Sequence, residues 1–133
     1  MSLNRYPTSD GLQLAFRDDD FTIPGIGAPC IVLHHEFPRN SNFWAGWVPH
    51  LSRYMRVVRP DLRGLGLSRV PLETYKPSMD LFVQDALSLL DHLGVEKAVW
   101  VGDGTGDMLG LTLAAKHPDR IQALVLCDAV SWV

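Results

Sequence analysis

Three unbroken apolar runs constrain this chain more than anything else in it: Cys30-Ile31-Val32-Leu33, Ala98-Val99-Trp100-Val101 and Ala123-Leu124-Val125-Leu126-Cys127. A strand with one wet face alternates apolar and polar residues. A run without alternation belongs to a strand covered on both faces, as in a parallel sheet. Helical patterns lie between the runs. Ser78–Leu93 carries Met79, Phe82, Val83, Ala86, Leu87, Leu90 and Leu93 on one face. Ser78 suits its N-cap, Asp80 its first turn and Gly94 its C-terminal stop. Thr105–His117 is apolar nearly all round (Met108, Leu109, Leu111, Leu113, Ala114, Ala115) and is expected to be buried, with Pro118 ending it. A helical stretch over Trp44–Tyr54 leads into a strand at Met55–Arg59, closed by Pro60. Two further strands, Arg5–Thr8 and Leu12–Phe16, flank the turn Ser9-Asp10-Gly11, while Asp18-Asp19-Asp20 and Pro24–Gly27 read as loop. The expected class is α/β, a mostly parallel sheet with helices on both faces, in one domain over residues 1–133.

The net charge of −3 gives no footprint for nucleic acid. Arg53, Arg56, Arg59, Arg63 and Arg69 are interrupted by apolar and acidic residues and read as surface charges and loop anchors. No apolar stretch approaches the ~20 residues of a membrane span, and Met1-Ser2-Leu3 runs straight into polar sequence, so neither membrane nor leader is expected. Cys30 and Cys127 make no disulfide framework and are expected as small core residues in a reducing, cytoplasmic setting.

The chemistry, if any, centres on Val101-Gly102-Asp103-Gly104-Thr105-Gly106-Asp107. This segment follows an apolar strand and opens a helix, the setting of a nucleophile elbow, G-x-S-x-G, in which a serine stands above the end of a parallel sheet. Gly102 and Gly106 supply the outer glycines, and Gly104 stands where the serine belongs. Glycine tolerates the strained backbone of that position at least cost.

Two more segments complete a pattern. His34-His35-Glu36-Phe37-Pro38, with Trp44 six residues on, is similar to an H-G-F-P loop with Glu36 in the glycine place. Asp61-Leu62-Arg63-Gly64-Leu65-Gly66-Leu67-Ser68 matches D-x-R-G-x-G-x-S throughout. With the elbow, Ala115–Arg120 and the strand ending in Asp128, the chain resembles the N-terminal half of an α/β-hydrolase. Its tone is that of 3-oxoadipate enol-lactonase-like hydrolases. The resemblance implies ester or lactone hydrolysis by ancestry, with an oxyanion hole at the backbone N–H groups of Phe37 and Thr105 and a pocket near His35, Glu36 and Trp44. It also implies a lid, further strands and a catalytic histidine that are absent here, since no histidine follows His117. Serine chemistry is therefore expected to be impaired. Glu36 is expected to oppose an oxyanion unless its side chain turns away. The Ala123–Cys127 strand would then be an uncovered apolar edge, expected to recruit a second copy or a complementing chain.

Other readings remain open on the residues. Shifting the elbow by one makes Asp103 a substitute nucleophile, but with Val101 and β-branched Thr105 in the flanking places. A glycine at the elbow's centre is also similar to the N-myc downstream-regulated family, which has this fold without its serine, so a non-catalytic binding module is the alternative function. His35, Glu36, Asp61, Asp103 and Asp107 all fall at strand ends, where a cation would bind, yet no metal-ligand spacing is present. Asp107 in the first helical turn and Asp128 at a strand tip each have a plain structural reading. A dinucleotide fingerprint would need glycine at Asp107. No cofactor is indicated, and a small ester or lactone is the expected ligand.

Overall fold

In the computed structural model, which describes residues 2–128, the chain forms a six-stranded sheet. The strands are β1 (Ser2–Pro7), β2 (Gln13–Asp19), β3 (Cys30–His34), β4 (Arg56–Pro60), β5 (Ala98–Gly102) and β6 (Ile121–Leu126), in the order β1-β2-β4-β3-β5-β6. β1 and β2 form an antiparallel hairpin, and β2 runs antiparallel to β4. The pairs β4–β3, β3–β5 and β5–β6 are parallel. Three of the four parallel strands, β3, β5 and β6, therefore come from the unbroken apolar runs, and the carboxyl ends of all four share one rim.

Successive side chains on β3 and β4 serve opposite cores. Cys30, Val32 and Val58 pack with Phe16 and Trp100 under α2 (Met79–Leu93) and α3 (Thr105–Lys116). Ile31, Leu33 and Val57 face the other way, against Trp44 and Val48. Ser78 caps α2 by accepting the Leu81 N–H at 3.1 Å, and Gly94 ends it in the left-handed conformation.

Several expectations need correction. The Trp44–Tyr54 helix is a 3₁₀ segment over Ser41–Trp47 followed by a single turn, α1 (Val48–Leu51). Asp18 and Asp19 belong to β2 rather than to a loop, because each meets an arginine of β4: Asp18 pairs with Arg56 at 2.7 Å and Asp19 with Arg59 at 3.2 Å. Arg59 and Arg63 are buried, not surface charges, since carboxylates accompany them inward. Helix α3 buries Leu109 and Leu113 but leaves Met108 and Leu111 at 51% and 46% exposure, for nothing among the described residues covers that flank. Cys127 is exposed and lies one residue past β6, so only Cys30 is a core cysteine.

Candidate active site

The rim of the sheet brings three loops together: after β3 (His34–Pro38), after β4 (Asp61–Ser68) and after β5 (Gly102–Asp107). The middle one is a frame. Asp61 accepts the N–H of Ser41 at 2.7 Å and that of Leu67 at 2.9 Å. Gly66, at φ +51°, lies so close that a Cβ there would stand 2.6 Å from the Asp61 carboxylate. Arg63 bridges Asp85 of α2 at 2.7 Å and Asp10 of the β1–β2 turn at 2.8 Å. Burial pushes the Asp85 carboxyl up against the pull of Arg63, while Arg63 and Thr8 hold Asp10 down at about 2. Ser68 accepts the Ala15 N–H at 2.7 Å. The motif's polar residues thus fasten the loop to β2, α2 and the hairpin.

The loop after β3 is held as firmly. The N–H of Leu62 donates to His35 Nε2 at 2.9 Å, which fixes the other tautomer and lets Nδ1–H donate to the Glu36 carbonyl at 3.0 Å. His34 donates from Nδ1 to the His35 carbonyl at 3.0 Å and stacks between His35 and Trp100. Burial drives both imidazoles toward the neutral form, His34 down to about 3. His35 commits both ring nitrogens and His34 its Nδ1, so both serve as structural rings.

The elbow follows the expected geometry. Gly104 heads α3 at φ +56° and ψ −110°, the strained crest of the turn, with Asp103 one residue before it. A Cβ at Gly102 would strike the backbone of Gly106 and Asp107, and one at Gly106 would strike the His34 carbonyl. The outer glycines therefore let α3 press on β3 and β5. Asp107 is buried and accepts the N–H groups of Cys127 at 3.2 Å and Asp128 at 2.9 Å, tying α3 to the end of β6.

At the crest, a Cβ on Gly104 would lie 2.5 Å from Glu36 Cγ, 2.7 Å from Cδ and 2.7 Å from Oε1. The half-buried Glu36 side chain thus fills the volume into which a nucleophile on residue 104 would project. Opposite it, the Phe37 N–H donates to the Thr105 hydroxyl at 3.3 Å. Beside these groups opens a groove of about 400 Å³, lined by Phe37, Leu62, Leu65, Tyr75, Phe82 and Thr105 among others.

A family model described as alpha/beta hydrolase fold matches residues 29–133. The chain belongs to the α/β-hydrolase family. It is 36% identical over 105 residues to a 2-hydroxymuconate semialdehyde hydrolase from Pseudomonas sp. (strain CF600), covering 77% of this chain and 36% of that protein. Epoxide hydrolase 4 of Mus musculus is 34% identical over 105 residues, covering 77% of this chain and 28% of its own length. Among solved structures, the enol-lactonase from Burkholderia xenovorans LB400 superposes with a TM-score of 0.81 at 32% identity, over 91% of this chain and 45% of that one. The chain thus spans less than half the length of these relatives and corresponds to the N-terminal part of the α/β-hydrolase fold.

Within that family frame, Glu36, Phe37, Gly104 and Thr105 meet at the rim, as the motif order implies. Trp44 does not line the groove: it is 2% exposed in the core beneath the sheet, because the 3₁₀ segment turns it onto Leu33 and Val57. His35 is likewise enclosed. Of the five residues weighed as a cation site, His35, Asp61 and Asp107 are each committed to other partners, and the described residues hold no metal-binding cluster of His, Cys, Asp or Glu. Sequence reasoning missed the groove wall of Leu65, Leu72, Tyr75 and Pro77, which sit on an irregular segment with no periodicity. It also missed the fit of Glu36 to Gly104. The available signal was that both departures from the family pattern fall on loops that meet.

Proposed function

We propose that this chain is the substrate-cradling part of an α/β-hydrolase of ester or lactone lineage that does not run the serine mechanism. The carrying observation is Glu36 seated over Gly104. Hydrolysis of an ester through a tetrahedral intermediate would place a second negative charge beside that carboxylate, without a nucleophile on residue 104 to form the intermediate. The N–H of Phe37 is moreover engaged by Thr105, so the oxyanion hole is partly filled. The remaining function is binding: the apolar groove suits a small acyl or aryl group. The test pairs two measurements, turnover of chromogenic esters and enol-lactones and NMR shifts on adding 4-nitrophenyl butyrate. We expect negligible turnover, unchanged in Gly104→Ser, with shifts at Phe37, Tyr75 and Phe82. Saturable turnover would contradict the reading and make Asp103 the first residue to mutate.

We also propose that β6 pairs further. It forms an outer edge of the sheet with Ala123 and Val125 exposed, beside the uncovered Met108 and Leu111 of α3. Such an edge is a template for another strand, from a second copy or from a complementing chain. Light scattering at micromolar concentration should give a dimer or larger species with the chain alone, and a clean monomer would contradict self-association. A cytoplasmic setting is proposed on the two free thiols. No helix among the described residues is long and apolar enough to cross a membrane.

A further inference from the structure

At the end of the sheet opposite the rim, the loop between β2 and β3 meets the turn that enters β4. The Phe21 N–H donates to the Ser52 carbonyl at 3.0 Å and the Arg56 N–H to the Pro29 carbonyl at 2.9 Å, so the loop is fastened at both ends. Between these bonds the Ile26 N–H donates to the Ile23 carbonyl at 3.2 Å, closing a turn in which Gly25 takes φ +82°. A cleft of about 410 Å³ opens between that turn and Arg53-Tyr54. Ile23, Ile26 and Tyr54 line it and are 63–70% exposed, and Phe21, bonded to Ser52, adds a fourth large apolar side chain at 68%. Apolar side chains gathered at such exposure mark a binding surface. Among the described residues, Arg53 is the one charged member of the lining, and no hydrogen bond or ion pair engages its exposed guanidinium.

We propose that this cleft is a second ligand site, separate from the rim, and that it binds a small aryl or alkyl carboxylate as the anion. The apolar walls take the hydrocarbon part, and the guanidinium offers two parallel N–H donors that match a carboxylate. One uncommitted cation selects a monoanion. A phosphate monoester would bring a second negative charge with no free cation in the lining to balance it, and a neutral ligand would leave the guanidinium without its anion. The neighbouring charges are already committed. Arg56 holds Asp18 at 2.7 Å, and Asp20 accepts the Thr22 N–H at 3.0 Å and the Thr22 hydroxyl at 2.6 Å. The lining comes from one loop and from Arg53 and Tyr54 just before β4, an extent that suits a small molecule rather than an extended peptide. Neither wall includes Glu36 or Gly104, so this site is independent of the groove at the rim.

The experiment is a backbone NMR titration of the whole chain with 4-butylbenzoate, paired with the uncharged 4-butylbenzamide. We expect saturable shifts from the benzoate at Ile23, Ile26, Gly27 and Tyr54. The benzamide should bind there about tenfold or more weakly, the size of one charge-assisted hydrogen-bonded pair. Arg53→Gln should weaken the benzoate by the same factor and leave the benzamide unchanged, with the rest of the spectrum retained because Arg53 holds no other group among the described residues. Ile26→Asp should abolish benzoate binding by setting a like charge in the apolar wall. Equal binding of benzoate and benzamide, undiminished benzoate binding in Arg53→Gln, or no saturable shift at these residues would each overturn the proposal. Shifts at Phe37, Tyr75 and Phe82 report the groove at the rim, so the two sites stand or fall separately.

Discussion

Two loops at the same rim behave in opposite ways. In the loop after β4, the signature's polar residues hold the frame together: Asp61 spans two backbone N–H groups, Arg63 two carboxylates, and Ser68 a third segment. In the loop after β5, the frame glycines Gly102 and Gly106 keep their close contacts while the crest between them carries no side chain. The scaffold's packing and its reacting atom are thus separable. Close packing constrains the first through many contacts at once, whereas the crest is constrained only by chemistry and by the neighbour that fills it.

That contrast predicts unequal sensitivities. The largest effect belongs to the frame. Arg63→Ala should lose about 3–5 kcal/mol in a urea titration, because Asp85 is left buried without its partner; a loss below 1 kcal/mol would show the frame to be slack. Acid should act next, through the loop after β3. His34 binds a proton near 6.5 when unfolded and only near 3 when folded, owing to burial. Its stabilising contribution is therefore complete above the unfolded value and is lost as pH falls through the window between the two. Lowering the pH from 7 to 5 should cost about 2 kcal/mol from this group, with the His34 ring resonance unchanged. A ring that titrates near 6.5 would contradict its burial.

At the crest, Gly104→Ser should lower stability by about 1–3 kcal/mol, since a side chain must adopt positive φ and displace Glu36. A melting temperature that is unchanged or higher would remove the account of Gly104 as a strain-relieving residue. The smallest effect belongs to Thr105→Val. It frees the exposed Phe37 N–H from its 3.3 Å bond and should cost under about 1 kcal/mol. Faster amide exchange at Phe37 would report it, and unchanged exchange would show that the bond does not close the oxyanion hole in solution.

The parallel half of the sheet was legible because unbroken apolar runs such as Cys30–Leu33 have few other folded uses, and α2 because its caps and its stripe agree. The elbow was legible because Gly102 and Gly106 mark contacts that only glycine allows. The buried ion pairs were not. Asp18 and Asp19 look like loop residues until Arg56 and Arg59 are placed across the sheet from them, and that requires the β2–β4 register. For the same reason Trp44 reads equally well as groove or core, since periodicity does not say onto which face a 3₁₀ segment turns. The Glu36–Gly104 contact joins residues far apart in sequence, so each substitution alone looked like a loss.

The central claim is that Glu36 occupies the place of the elbow's nucleophile, and a double-mutant stability cycle tests it most directly. Glu36→Ala removes Cγ, Cδ and Oε1, the three atoms that a Cβ on residue 104 would meet. If the claim holds, Gly104→Ser costs about 1 kcal/mol less in the Glu36→Ala background than in the native chain. The remaining cost is the backbone strain. If the two substitutions are additive, Glu36 does not fill the site, and both the vacancy it closes and the function built on it are contradicted.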